Sequence, residues 1–135
     1  MNKFKQTIPF HFALYTMITL LLLVTVFHIL VLLEIIPYTI VWGGRLSSKA
    51  EMYQFEFTSI TINLIMLLCF LLKGNFIRNK VPDTLLRTLI TLQALLFLLN
   101  TLGNLVAVSI WERIIFAPLT LLAFVFCLRI AMEKK

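Results

Sequence analysis

Charged residues are scarce in this chain: Asp, Glu, Lys and Arg make up 13% of its 135 residues, about half the share carried by a soluble domain. Apolar residues fill the difference at 61%, and the mean hydropathy is +0.99. That composition excludes an ordinary globular domain, a disordered chain and a nucleic-acid-binding module together. Glycine and proline number four each, too few for a loop-rich or collagen-like architecture. The two cysteines, Cys69 and Cys127, fall near the inner ends of apolar stretches and form no C-x-x-C, which leaves disulfide-relay chemistry without its parts. His11 and His28 are the only histidines, and roughly 25 Å of helix separates them, so they share no metal within one subunit. Nucleophile motifs, metal-ligand clusters and phosphate-binding glycine loops are absent. No metal or cofactor is therefore expected.

What is present is long apolar runs. They extend from about Phe12 to Ile36, Phe55 to Leu72, Leu89 to Ile110 and Ile114 to Met132. Crossing a bilayer takes about 20 residues of helix, so four spans with short connections nearly use up the chain. The expectation is an all-α polytopic membrane protein, a four-helix transmembrane bundle in one domain over 1–135, with an outer loop at 37–54 and an inner loop at 73–88. The first run follows Lys3 and Lys5 but is about twice the length of a signal's apolar region and lacks a small-residue cleavage site, so it reads as a retained span. Lys73-Gly74-Asn75 ends the second run, and Val81-Pro82-Asp83 precedes the third with proline suited to a helix start. Pro118 falls in the first turn of the fourth, where a missing N–H costs little and no functional kink is implied.

The basic residues divide unequally between the two sides. One side collects Lys3, Lys5, Lys73, Arg78, Lys80, Arg87, Arg129, Lys134 and Lys135; the other has Arg45, Lys49 and Arg113, with Glu34, Glu51, Glu56 and Glu112. The positive-inside rule then predicts cytoplasmic N- and C-termini and, for a bacterial chain, the cytoplasmic membrane. Tyr38, Trp42, Tyr53 and Trp111 all fall at the outer ends of spans, where amphipathic rings prefer the headgroup level. The net charge of +6 thus acts as an orientation signal and calls for no nucleic acid partner.

Polar side chains inside spans are costly, so function is sought among them. Glu34 lies near the outer end of span one with His28 about two turns deeper. Glu56, Ser59 and Asn63 share one face of span two, and Gln93, Asn100 and Asn104 share one face of span three beside Gly103, which would admit another backbone. All but Gln93 fall in the outer half of the bilayer. The asparagines either join helices by hydrogen bonds or line a cavity together with Glu34 or His28. His28 is either a packed residue, with Thr25 on the same face as its partner, or a proton shuttle. Glu34 and Glu56 form a candidate carboxylate pair whose members could also meet Arg45 or water.

The outer loop is too apolar at its start to be free and too interrupted to be a span, so it is expected to dip into the outer interface or lie upon it. Trp42 anchors it, Gly43-Gly44 allow a tight turn, and Arg45 offers a guanidinium for a headgroup or for Glu34 or Glu56. The run Trp42-Gly43-Gly44-Arg45-Leu46, with Glu51-Met52-Tyr53, Phe55-Glu56, Asn63 and Asn100-Thr101-x-Gly103-Asn104, resembles uncharacterised small four-span bacterial membrane proteins. That likeness implies the four-span layout and brings no activity or site with it. The arrangement of Glu, His, Asn and Trp around a membrane cavity is also similar in architecture to the emopamil-binding sterol isomerase family, without a shared motif to carry residues across.

Three functions follow as expectations. The first is a non-enzymatic protein that binds a lipid-like or amphipathic small molecule, or a partner helix, through Glu34, Arg45, Glu56, Asn63, Asn100 and Asn104, with His28 and Trp42 beside them. The second is a transporter or channel completed only as a homo-oligomer. The third is an intramembrane acid–base enzyme, such as an isomerase of a hydrophobic substrate, using Glu34, Glu56 or His28.

Overall fold

In a computed structural model the chain is helical throughout its ordered elements, and no strand occurs among the described residues 2–78, 80–108 and 110–134. Side chains are described from Lys5 onward, so Lys135 and the Lys3 side chain, counted above with the basic residues, lie outside them. A short helix α1 (Asn2–Thr7) precedes α2 (Phe10–Leu32), α3 (Lys49–Lys73), α4 (Asp83–Leu105) and α5 (Ala117–Ala131), the last led in by a π-helical turn at Glu112–Phe116. Two single 3₁₀ turns, Tyr38–Ile40 and Trp42–Gly44, sit between α2 and α3. Four helical segments are long and apolar enough to cross a membrane: Phe10–Leu32, Lys49–Lys73, Asp83–Leu105 and Glu112–Ala131. At 1.5 Å per residue they run roughly 30–38 Å, which matches a hydrocarbon layer about 30 Å thick. The chain is an all-α four-helix membrane protein.

The helix boundaries depart from the apolar runs, each for a local reason. α2 stops at Leu32 instead of Ile36 because Glu34 turns left-handed, with φ 58°, and Pro37 follows. α3 begins at Lys49, not Phe55, because Ser48 accepts the Glu51 N–H at 3.2 Å as its N-cap. Glu51 in turn accepts from Ser47 N–H at 2.9 Å, so polar capping extends the helix beyond its apolar portion. α4 begins at Asp83, directly after Pro82, rather than at Leu89. It ends at Leu105 instead of Ile110, and the Ala107 N–H folds back onto Asn104 O. Pro118 has no N–H to offer and its ring crowds the carbonyl one turn back. The preceding turn widens accordingly: the Ala117 N–H reaches Glu112 O, five residues earlier.

The helices form a ring in chain order. α4 packs most extensively on α5 and α2 on α3, while α2 closes on α5 and α3 on α4. Toward the end that carries the termini, Ala13, Leu14, Met17 and Leu21 of α2 meet Met66, Cys69 and Phe70 of α3, Ile90 and Ala94 of α4, and Ala123, Cys127 and Ile130 of α5. A smaller cluster closes the opposite end, where Val31 and Met52 pack with Val41 and Leu46 of the loop. Polar contacts occupy the level between the two. One is a hydroxyl pair, in which Thr101 on α4 and Thr120 on α5 lie 2.9 Å apart.

The end carrying the termini is laced by cations. Lys73 is 2% exposed and donates to Asp83 and to Glu133 O. Arg129, 4% exposed, donates from Nε to Ile8 O at 2.7 Å and from a terminal nitrogen to Glu133 at 2.8 Å. Arg87 donates from Nε to Ala131 O at 2.8 Å. These side chains place positive charge on the carbonyl ends of α3 and α5, where the helix dipole favours it. Part of the basic surplus is therefore structural.

Candidate functional site

The loop between α2 and α3 folds down over the helix ends, with Val41 and Leu46 packed on Val31 and Met52. Trp42, Gly43 and Gly44 are consecutive left-handed residues, with φ of 56°, 70° and 67°. Glycine adopts that conformation at little cost, whereas tryptophan pays of order 1–3 kcal/mol. The return at Trp42 is a hydrogen bond: its indole Nε1 donates to Glu56 Oε1 at 2.8 Å. Glu56 is 0% exposed, one face of α3 having carried it under the loop. Its second oxygen lies 2.6 Å from His28 Nδ1, which projects from α2. Three elements thus converge on one buried carboxylate.

Aromatic rings surround this centre. His28 stands 6.3 Å from the Trp42 ring and 5.8 Å from Phe27, and Trp42 lies 5.1 Å from Phe55. The His28 side chain retains 14% of its surface, and its Nε2 has no partner among the described residues. On the other side of the loop, the Gly43 N–H donates to Glu112 Oε1 at 2.7 Å, which ties the loop to the π-helical turn. Gly43→Ala should therefore destabilise the protein by about 1–2 kcal/mol through backbone strain alone. The added Cβ meets nothing closer than 3.5 Å. Thermal unfolding in detergent measures this, and an unchanged midpoint would show that the left-handed turn is dispensable.

The structure brings together only three of the eight residues singled out from the sequence, namely His28, Trp42 and Glu56. Among the described residues Glu34 and Glu56 share no hydrogen-bond partner. Glu34 is exposed and receives Lys49 Nζ at 2.6 Å and the Tyr53 hydroxyl at 3.3 Å. The Lys49 hydrogen bond, helped by that of Tyr53, holds the Glu34 carboxyl below the usual carboxylate range. Arg45 is exposed and ion-pairs with neither Glu34 nor Glu56 among the described residues; its Nε lies beside Gly43, near Glu112. Thr25 is not the partner of His28, since its hydroxyl is committed to Leu21 O.

The asparagines also separate. Asn63 is buried with its Nδ2 unpartnered, as is Gln93 with its Oε1, while Asn100 is exposed and Asn104 half-buried. Gly103 has open space around it and no backbone beside it. The packed face of α4 passes through Gln93, Ala94 and Thr101, turning toward α5, its main neighbour, and away from Asn100. Two open surface grooves lie elsewhere, one along Phe12 to Leu23 on α2 and one beside the start of α4. Reasoning from sequence missed Glu112 and the Thr101–Thr120 pair as partners. The Ser48-x-x-Glu51 capping pattern in the sequence marks the start of α3, and hence the depth of Glu56. Among the described residues no group of three His, Cys, Asp or Glu is placed to hold a metal ion. Comparisons with family models, curated proteins and solved structures find no match.

Proposed function

We propose that this small membrane protein binds the polar group of a lipid-like, amphipathic molecule at His28, in the outer half of a bacterial cytoplasmic membrane with both termini cytoplasmic. The unequal division of basic residues supports that orientation. The observation that carries the binding assignment is the fully buried Glu56 holding His28 at 2.6 Å and Trp42 at 2.8 Å. An isolated buried carboxylate is costly, and here both oxygens of Glu56 are engaged, one by the imidazole and one by the indole. In this reading Nδ1 faces Glu56 and Nε2 carries the N–H that meets the ligand. A fixed, unpaired donor framed by Phe27, Trp42 and Phe55 suits an acceptor oxygen, such as a carboxylate or ester carbonyl, attached to an apolar chain.

A bromine-substituted fatty acid tests this in lipid nanodiscs, using Trp111→Phe to leave Trp42 as the sole indole. Saturable quenching of Trp42 is expected, weakened about tenfold by His28→Phe, as suits the loss of one charge-assisted hydrogen bond. Quenching that rises linearly and is indifferent to His28 would indicate partition into lipid and overturn the assignment. The same histidine–carboxylate geometry favours a second reading, acid–base chemistry on a bound hydrophobic molecule, since an imidazole oriented by a carboxylate is equipped to move a proton at Nε2.

A further inference from the structure

A different polar feature lies on the outside of α4, at the end that carries the termini. Thr84, Arg87, Thr88, Thr91, Leu92 and Ala131 line an open groove of about 350 Å³ where the first turns of α4 pass the end of α5. Thr84, Arg87, Thr88 and Thr91 share one helical face by their spacing. The Arg87 Nε bond to Ala131 O fixes the plane of the guanidinium and leaves both terminal NH₂ groups without a partner among the described residues. The exposed hydroxyls of Thr84 and Thr88 likewise make no hydrogen bond among the described residues, while Thr91 is committed to Arg87 O. The neighbouring carboxylates are already engaged, Asp83 with Lys73 and Glu133 with Arg129. The Arg129 hydrogen bond also holds the Glu133 carboxyl below its usual range, so it stays ionised and paired.

We infer that this groove binds the phosphate headgroup of an anionic phospholipid. Arg87 meets the phosphate oxygens as a fork, and Thr84 and Thr88 donate beside it. Leu92, exposed in the same groove, lies roughly 12 Å further along the helix than Thr84 and takes the acyl chain. Donors at the helix end followed by apolar surface toward the membrane interior is the polarity of a phospholipid, and Arg78, Lys80 and Lys134 make this end electropositive.

Native mass spectrometry of the full chain, released from neutral phosphatidylcholine with phosphatidylglycerol added, reads the preference directly. Phosphatidylglycerol should be retained about tenfold over phosphatidylcholine: both carry the phosphate, but the choline cation is repelled by Arg78, Lys80, Arg87 and Lys134 at this end. Arg87→Gln and the double variant Thr84→Val/Thr88→Val should each reduce that ratio toward one. The threonine variant leaves the Arg87 bond to Ala131 intact, so its result does not depend on how Arg87→Gln folds. Equal retention of the two lipids, or a preference unchanged in both variants, would overturn the proposal. Displacement of the lipid by an equal concentration of inorganic phosphate would reassign the groove to free phosphate and also overturn it.

Discussion

Glu56→Ala should destabilise the bundle by about 2–5 kcal/mol, the largest effect expected of any change at the end away from the termini. The substitution takes from His28 Nδ1 its hydrogen-bond partner and from Trp42 Nε1 its acceptor, and empties a site that is 0% exposed. It also removes the bond that offsets the left-handed backbone at Trp42, with φ 56°. The loop should loosen as well as the fold, so Trp42 emission shifts to the red in the Trp111→Phe background. Glu56→Gln retains an acceptor oxygen for the indole and an amide for Nδ1, so it should cost less than half as much. Thermal or denaturant unfolding in detergent supplies the comparison. If alanine and glutamine both fall within about 0.5 kcal/mol of the parent, the carboxylate is not the keystone of this end.

The second large effect lies at the opposite end. Lys73→Met should cost about 2–4 kcal/mol, because a cation only 2% exposed is exchanged for a thioether that cannot serve Asp83 or Glu133 O. Lys73 joins the end of α3 to the start of α4 and to the chain beyond α5, so three helix ends lose a common tie. Methionine preserves most of the aliphatic stem, which separates the loss of charge from the loss of packing. Adding Asp83→Asn should recover part of the loss, since the carboxylate then no longer lacks its cation. A double-mutant cycle with a coupling energy below about 0.5 kcal/mol would show that the two charges act independently.

The two ends differ in how much the sequence disclosed. Depth along each helix was readable, because an apolar run fixes which residues lie within it. By sequence position alone Glu56 and His28 fall at a similar depth, toward the end away from the termini. Their pairing was not readable. They are separated by 28 positions, and nothing in either helix's periodicity states which face of α2 meets which face of α3. Glu34 is closer in depth to the loop than His28 is, and from the sequence it forms a candidate carboxylate pair with Glu56. A left-handed residue at the end of α2 instead turned it outward to Lys49 and Tyr53.

Scarcity of charge, with 13% of residues charged and 61% apolar, and its arrangement around four apolar runs by themselves determined that this chain is a membrane protein of four helices. The reason is that transfer free energy depends on composition over about 20 residues and on little else. Where the few charges act was decided only by the tertiary structure. Lys73, Arg87 and Arg129, read from sequence as markers of orientation, close the helix ends by hydrogen bonds to carbonyls and carboxylates. Trp42, read as a surface anchor, reaches inward to Glu56. A buried polar group must find its partner wherever the fold brings one, and that partner is set by helix rotation and loop conformation, not by the order of residues along the chain.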